Sequence, residues 1–184
     1  MPDRGTPMTI RFTVSTIASV LLLSACGAWQ SVSDASSSAY RAVFVKQVKV
    51  LNVDLTARAA LNPDDAGRAT SVAVRIYQLK ERKLFDGASY DDLLKNDKTV
   101  LAQDLEASMS TTVNPGASAS LSQTMQRGAK YVAIVVLYRN PGSGENWKRV
   151  VAKKQLDADK PLRLELSANE LRAAGDLPHF EFSK

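Results

Sequence analysis

The sequence is poor in the residues from which most catalytic and metal sites are built. Among 184 residues there is one cysteine, Cys26, and one histidine, His179. A single thiol excludes a disulfide framework and any cysteine-based zinc site. A single imidazole near the C-terminus leaves too little for a nucleophile–base–acid triad or a histidine-ligated metal. Charge of one sign is also scarce. Lys plus Arg is 24 and Asp plus Glu is 19, a balance of +5 with the basic residues scattered. That pattern argues against a nucleic-acid partner. The Gly142-Ser143-Gly144 stretch has neither the lysine nor the helix of a phosphate loop, which removes nucleotide binding. What is present is ordinary for a soluble fold: 45% apolar and 23% charged residues, too apolar for a disordered chain. The length suits one domain with one core. These counts disfavour an enzyme and predict no metal and no small-molecule substrate.

The first segment reads as an address. Arg4 and Arg11 supply positive charge, and Phe12 to Leu23 is an apolar run of signal-peptide length. It is short of the ~20 residues that span a bilayer. It ends in Leu23-Ser24-Ala25-Cys26, which resembles the lipobox of bacterial lipoproteins. The resemblance implies that residues 1–25 are removed, that the Cys26 thiol carries a diacylglycerol, and that its amine carries a further acyl chain. Several chains anchor far better than one, since each buried CH₂ contributes about 0.8 kcal/mol. Residue 27 is Gly and not Asp. By resemblance to lipoproteins of enteric-type bacteria, this points to the outer membrane and its periplasmic face. Residues 26–40 are rich in Ser and Ala with no apolar period, and read as a flexible tether.

Beyond Tyr40 the pattern is mainly β, and residues 41–172 are read as the domain, with 173–184 as a tail. Val43 to Ala57 is a β-branched run whose apolar parity changes between Val50 and Leu51, which suggests a bulge or bend. Residues 58–70 carry Asn-Pro, Asp-Asp and Gly, the chemistry of a loop. Ser71 to Leu79 alternates, with Val72, Val74 and Ile76 on one face and Arg75 and Tyr77 on the other. Residues 84–96 change character. Ser89 followed by Asp92 suggests a helix cap, and a short helical insertion is expected. Ser108 to Val113, the turn Asn114-Pro115-Gly116 and Ala117 to Gln126 read as a hairpin. Lys130 to Arg139 is apolar enough to be a central strand covered on both faces. Trp147 to Leu156 and Pro161 to Ser167 complete seven or eight strands. The architecture predicted is an antiparallel β-sandwich of two sheets with a short helical insertion.

The ordered set of Asn62-Pro63, Gly67-Arg68, Val74-Arg75-Ile76-Tyr77-Gln78-Leu79, Phe85, Leu93 to Leu105, Asn114-Pro115-Gly116, Lys130 to Arg139 and Trp147 resembles the TssJ family. These are the outer-membrane lipoproteins of type VI secretion systems. The resemblance spans residues 45–170 as well as the lipobox. It implies a transthyretin-like sandwich and no enzymatic activity. The implied partner is the periplasmic region of the inner-membrane protein TssM, contacted through the loop between the first two strands. That places the contact region at Asn62, Pro63, Asp64, Asp65, Gly67 and Arg68. The residue types agree. Pro63 lowers the entropy lost on ordering, Gly67 permits positive φ, and the charges set orientation. A plain solvated loop is the competing reading, and an unrelated lipoprotein that binds a small ligand or peptidoglycan is the competing function.

Other residues read as structural. His179 is taken as an exposed tail residue, Asp91-Asp92 as charges favoured near a helix start, and Trp147 as core. Lys148-Arg149 and Lys153-Lys154 are taken as guards of an edge strand, with contact to anionic headgroups as the alternative.

Overall fold

The structure is a computed structural model that describes residues 47–142 and 144–173. Cys26, the signal segment, the tether and His179 lie outside the described residues.

Alternation of apolar and polar residues builds the first strand. In β1 (Val50–Ala57), Leu51, Val53, Leu55 and Ala57 turn inward and Val50 outward. Val48 is also buried, but it precedes the strand. The parity change seen in the sequence therefore marks where β1 begins and not a bulge within it. The irregularity that does occur lies between Gln78 and Leu79 of β2 (Val72–Leu79). The remaining strands are β3 (Leu105–Val113), β4 (Ser118–Thr124), β5 (Tyr131–Leu137), β6 (Lys148–Ala152), β7 (Leu162–Ser167) and β8 (Glu170–Ala173).

They form two four-stranded sheets, ordered β4-β1-β7-β8 and β3-β2-β5-β6. Every neighbouring pair is antiparallel except β1 and β7, which run parallel. The expected hairpin at Asn114-Pro115-Gly116 is not one. β3 bonds to β2 (Val113 opposite Val72), while β4 bonds to β1 (Ser118 opposite Thr56). The turn is an arch between sheets, with Gly116 at φ +72°. Its cause is the apolar pattern: Met109 of one strand and Leu121 of the other both pack on the core, from opposite sheets.

β5 is buried from Val132 through Val136. Its inner residues, Ile134 and Val136, pair with Ile76 and Val74 of β2; its outer residues, Ala133 and Val135, pair with Tyr77 and Arg75. That outer face is covered by the helical insertion, α1 (Lys83–Gly87), α2 (Tyr90–Lys95) and α3 (Asp97–Val100). Ser89 and Asp92 form a capping box at α2, in which the Ser89 amide donates to the Asp92 carboxylate at 3.0 Å. The Ser89 hydroxyl and amide hold that carboxylate below its usual pKa range. Asp91 pairs with Lys95 at 2.7 Å. Both acids of this dipeptide thus have structural partners.

Phe85, Leu93 and Leu101 are fully buried beneath the insertion. Each such side chain contributes roughly 1.5–3 kcal/mol on burial. Polar struts add direction. The Tyr77 hydroxyl donates to Asp97 at 2.8 Å, and Arg75 donates to the Leu93 carbonyl at 2.8 Å. β6 is an edge strand, as its lysines suggested, but Lys148 does not guard it. Its ammonium turns inward, donates to the Asp86 and Ala88 carbonyls at 2.9 and 3.3 Å, and pairs with Glu145 at 2.8 Å. Trp147 is buried, as expected, and lies edge-on to Tyr90.

Candidate partner-docking site

The connection from β1 to β2, residues 58–71, crosses from one sheet to the other at one end of the sandwich. Its base is organised by Asn62, which is buried and has φ +44°. Asparagine is among the few residues other than glycine that tolerate this left-handed region. Every polar group of Asn62 is used. Its amide donates to the Ala168 carbonyl at 2.7 Å. Its side-chain nitrogen donates to Thr70 Oγ1 at 3.0 Å and to the Ser71 carbonyl at 2.8 Å. Its side-chain oxygen accepts from the Arg139 amide at 2.7 Å, and its carbonyl accepts from the Thr70 hydroxyl. Asn62 thereby ties the crossing to the loop after β5 and to the turn between β7 and β8. The Thr70 amide closes the base on the Leu61 carbonyl at 3.0 Å, and Leu61 is fully buried.

The upper part of the loop is shaped by Asp64 and Arg68. One Asp64 oxygen accepts from the amides of Ala66 and Arg68 at 3.0 and 2.9 Å. The other meets the Arg68 guanidinium at 2.7 and 2.8 Å. The backbone also closes, from Asp64 to the Arg68 carbonyl and from Gly67 to the Asp64 carbonyl. The Arg68 side chain, then its amide, hold the Asp64 carboxylate below its ordinary pKa range. Gly67 sits at φ +75°, where a side chain would strain the backbone.

The six residues singled out in the sequence therefore divide. Asn62 is a buried anchor whose polar groups bond within the protein. Asp64 and Arg68 bond chiefly to each other and fix the shape. Pro63, Asp65 and Gly67 are exposed at the tip, and among the described residues Asp65 has no partner. The alanines Ala66 and Ala69 share that exposed tip and were not singled out, because an isolated alanine carries no signal. Thr70 and Arg139 were missed as well. Their part depends on contacts with Asn62 that no local spacing reveals.

The chain is thus a two-sheet sandwich that holds a closed, pre-shaped loop on a buried asparagine. The profile of the type VI secretion lipoprotein family (VasD, EvfM, TssJ) matches residues 49–169. The chain belongs to this family of type VI secretion lipoproteins. Among solved structures, a chain of a type VI membrane complex is 34% identical. The match covers 70% of this chain and 99% of that one, with a TM-score of 0.66. A chain in a structure described as the T6SS protein TssM C-terminal domain from EAEC is 30% identical. It matches over 69% of this chain and 98% of that one, with a TM-score of 0.62. The T6SS lipoprotein TssJ1 from Pseudomonas aeruginosa shares the fold at 23% identity and a TM-score of 0.57, over 68% of this chain and 96% of that one. No curated protein matches the chain.

Proposed function

We propose that the chain is the outer-membrane-anchored lipoprotein of the type VI trans-envelope complex and captures the periplasmic region of TssM with the tip of its 58–71 crossing. The observation that carries this reading is the division of labour within the loop. The polar groups of Asn62, Asp64 and Thr70 are engaged in making one shape, so ordering costs on binding are low. Pro63, Asp65, Ala66, Gly67, Arg68 and Ala69 are left exposed to meet a partner. Acyl chains on Cys26 hold the domain at the periplasmic face of the outer membrane. Confinement to that surface raises the effective concentration of the loop for its partner. The small-ligand alternative gains no support: among the described residues every buried side-chain nitrogen and oxygen is bonded within the protein.

Two measurements test the reading. Cys26→Ser should leave the outer-membrane fraction and abolish secretion; full secretion by the unlipidated form would remove the anchoring step. Replacing Pro63 to Arg68 by a Gly/Ser segment of equal length, with Asn62 and Thr70 retained, should abolish pull-down of TssM while the domain stays folded. Undiminished pull-down would remove the loop assignment. Deleting Asn62 as well is a poorer test, because its bonds hold three loops together.

A further inference from the structure

The opposite end of the sandwich differs in charge and in what it is attached to. The chain enters the domain there, at Gln47–Lys49, where the Lys49 carbonyl accepts from the Met125 amide at 2.9 Å. The turn after β4 lies beside it. The Lys153 ammonium donates to the Gln126 carbonyl at 3.0 Å, and the Lys153 amide to the Lys130 carbonyl at 2.8 Å. These bonds bring Lys49, Arg127, Lys153 and Lys154 onto one end, with the close of β2 next to Lys130. The acids near them are mostly engaged: Glu106 with Lys80, Glu81 with Lys130, Asp157 with Lys160. Asp104 is left over and is half-buried. Lys49, Arg127 and Lys154 are exposed, and among the described residues they have no partner. At the docking end the charges mostly cancel in pairs, Arg58 with Glu165, Arg68 with Asp64 and Arg172 with Glu170.

We propose that the end bearing Lys49, Arg127 and Lys154 rests on an anionic phospholipid surface. The contact rests on the lipid-anchor reading above and deepens it. The anchored segment joins the domain at this end, so the acyl chains draw these cations toward the headgroups. A cation near an anionic bilayer contributes on the order of a fivefold gain in partitioning. The crossing at residues 58–71 then points away from the bilayer. The two ends are separated by the length of β1, about 23 Å at ~3.3 Å per residue. A headgroup contact at one end would hold the docking tip outward instead of letting the domain tumble on its tether.

The test uses the mature chain made without acyl groups (signal segment removed, Cys26→Ser) and vesicles. One set is phosphatidylcholine alone; the other contains roughly a third phosphatidylglycerol. Co-sedimentation should favour the anionic vesicles at low salt and lose that preference at high salt, where charges are screened. Arg127→Glu should lower anionic partitioning by about fivefold or more, and the triple reversal with Lys49→Glu and Lys154→Glu should bring it to the neutral-vesicle level. Arg163→Glu, which makes the same charge change on the exposed face of β7, should lower it far less. Equal loss with Arg163→Glu would show that net charge alone drives binding and would overturn the proposal, as would no preference for anionic vesicles. Unchanged thermal melting certifies each variant as folded. The acyl anchor and TssM capture are read by fractionation and pull-down, so a negative vesicle result beside positive results there removes only the headgroup contact.

Discussion

Two long connections leave β-strands of this sandwich, and they are held by opposite means. The insertion between β2 and β3 is held down by apolar burial of Phe85, Leu93 and Leu101, with Arg75, Tyr77 and Lys148 as struts beneath it. The crossing between β1 and β2 buries Leu61 and Asn62 at its base and nothing at its tip. Its order comes from hydrogen bonds to one asparagine and one carboxylate. A connection fixed by burial becomes part of the core. One fixed by hydrogen bonds at its base keeps a defined shape while its outer residues stay available. That difference, and not loop length, is what supports the binding role proposed for the crossing.

The contrast can be broken in order of expected effect. Phe85→Ala should cost about 3–5 kcal/mol, read as a lowered urea midpoint with loss of hydrogen-exchange protection in the insertion. TssM capture should survive wherever the variant is folded. Asn62→Ala should cost about 2–3 kcal/mol, since it strands buried donors and acceptors and leaves a side chain at positive φ. Asn62→Gly should recover part of that loss by relieving the backbone alone. A smaller loss for Asn62→Ala than for an ordinary exposed substitution would mean that the asparagine does not hold the crossing. Ser89→Ala removes the cap of α2 and should cost about 1 kcal/mol, read from the same urea midpoint.

Arg68→Ala belongs at the small end, because the guanidinium it removes is 81% exposed and screened by solvent. Its sharper signature is in titration. Arg68 lowers the folded-state pKa of Asp64. A lowered value gives a contribution that is present above the unfolded pKa and lost as pH falls through the folded one. The carboxyl NMR midpoint of Asp64 should therefore lie below that of a free aspartate and rise in Arg68→Ala. An unmoved midpoint would mean that the clamp does not form in solution.

Much of this was legible in the sequence where the signal is local. The Ser89–Asp92 cap, the alternation of β7 and the doubly covered β5 follow from side-chain spacing read over a few residues. The assignment of strands to sheets does not. Alternation tells which side chains turn inward but not which sheet supplies them, so β3 and β4 read as a hairpin although they face each other across the core. Arg75 and Tyr77 have outward parity, yet they are covered by the insertion packed over them. At the candidate site the loop and its turn residues were visible, but the role of Asn62 was not. Its partner Arg139 lies 77 residues away in sequence, and only the closed sandwich brings them together.

The central claim is that the tip makes contact while the base makes shape. Calorimetric titration of the TssM periplasmic region with Asp65→Arg tests it most directly, since among the described residues Asp65 has no internal partner to lose. The account predicts at least a tenfold weaker affinity, about 1.4 kcal/mol, with an unchanged melting temperature. An affinity equal to that of the unmodified chain would contradict it.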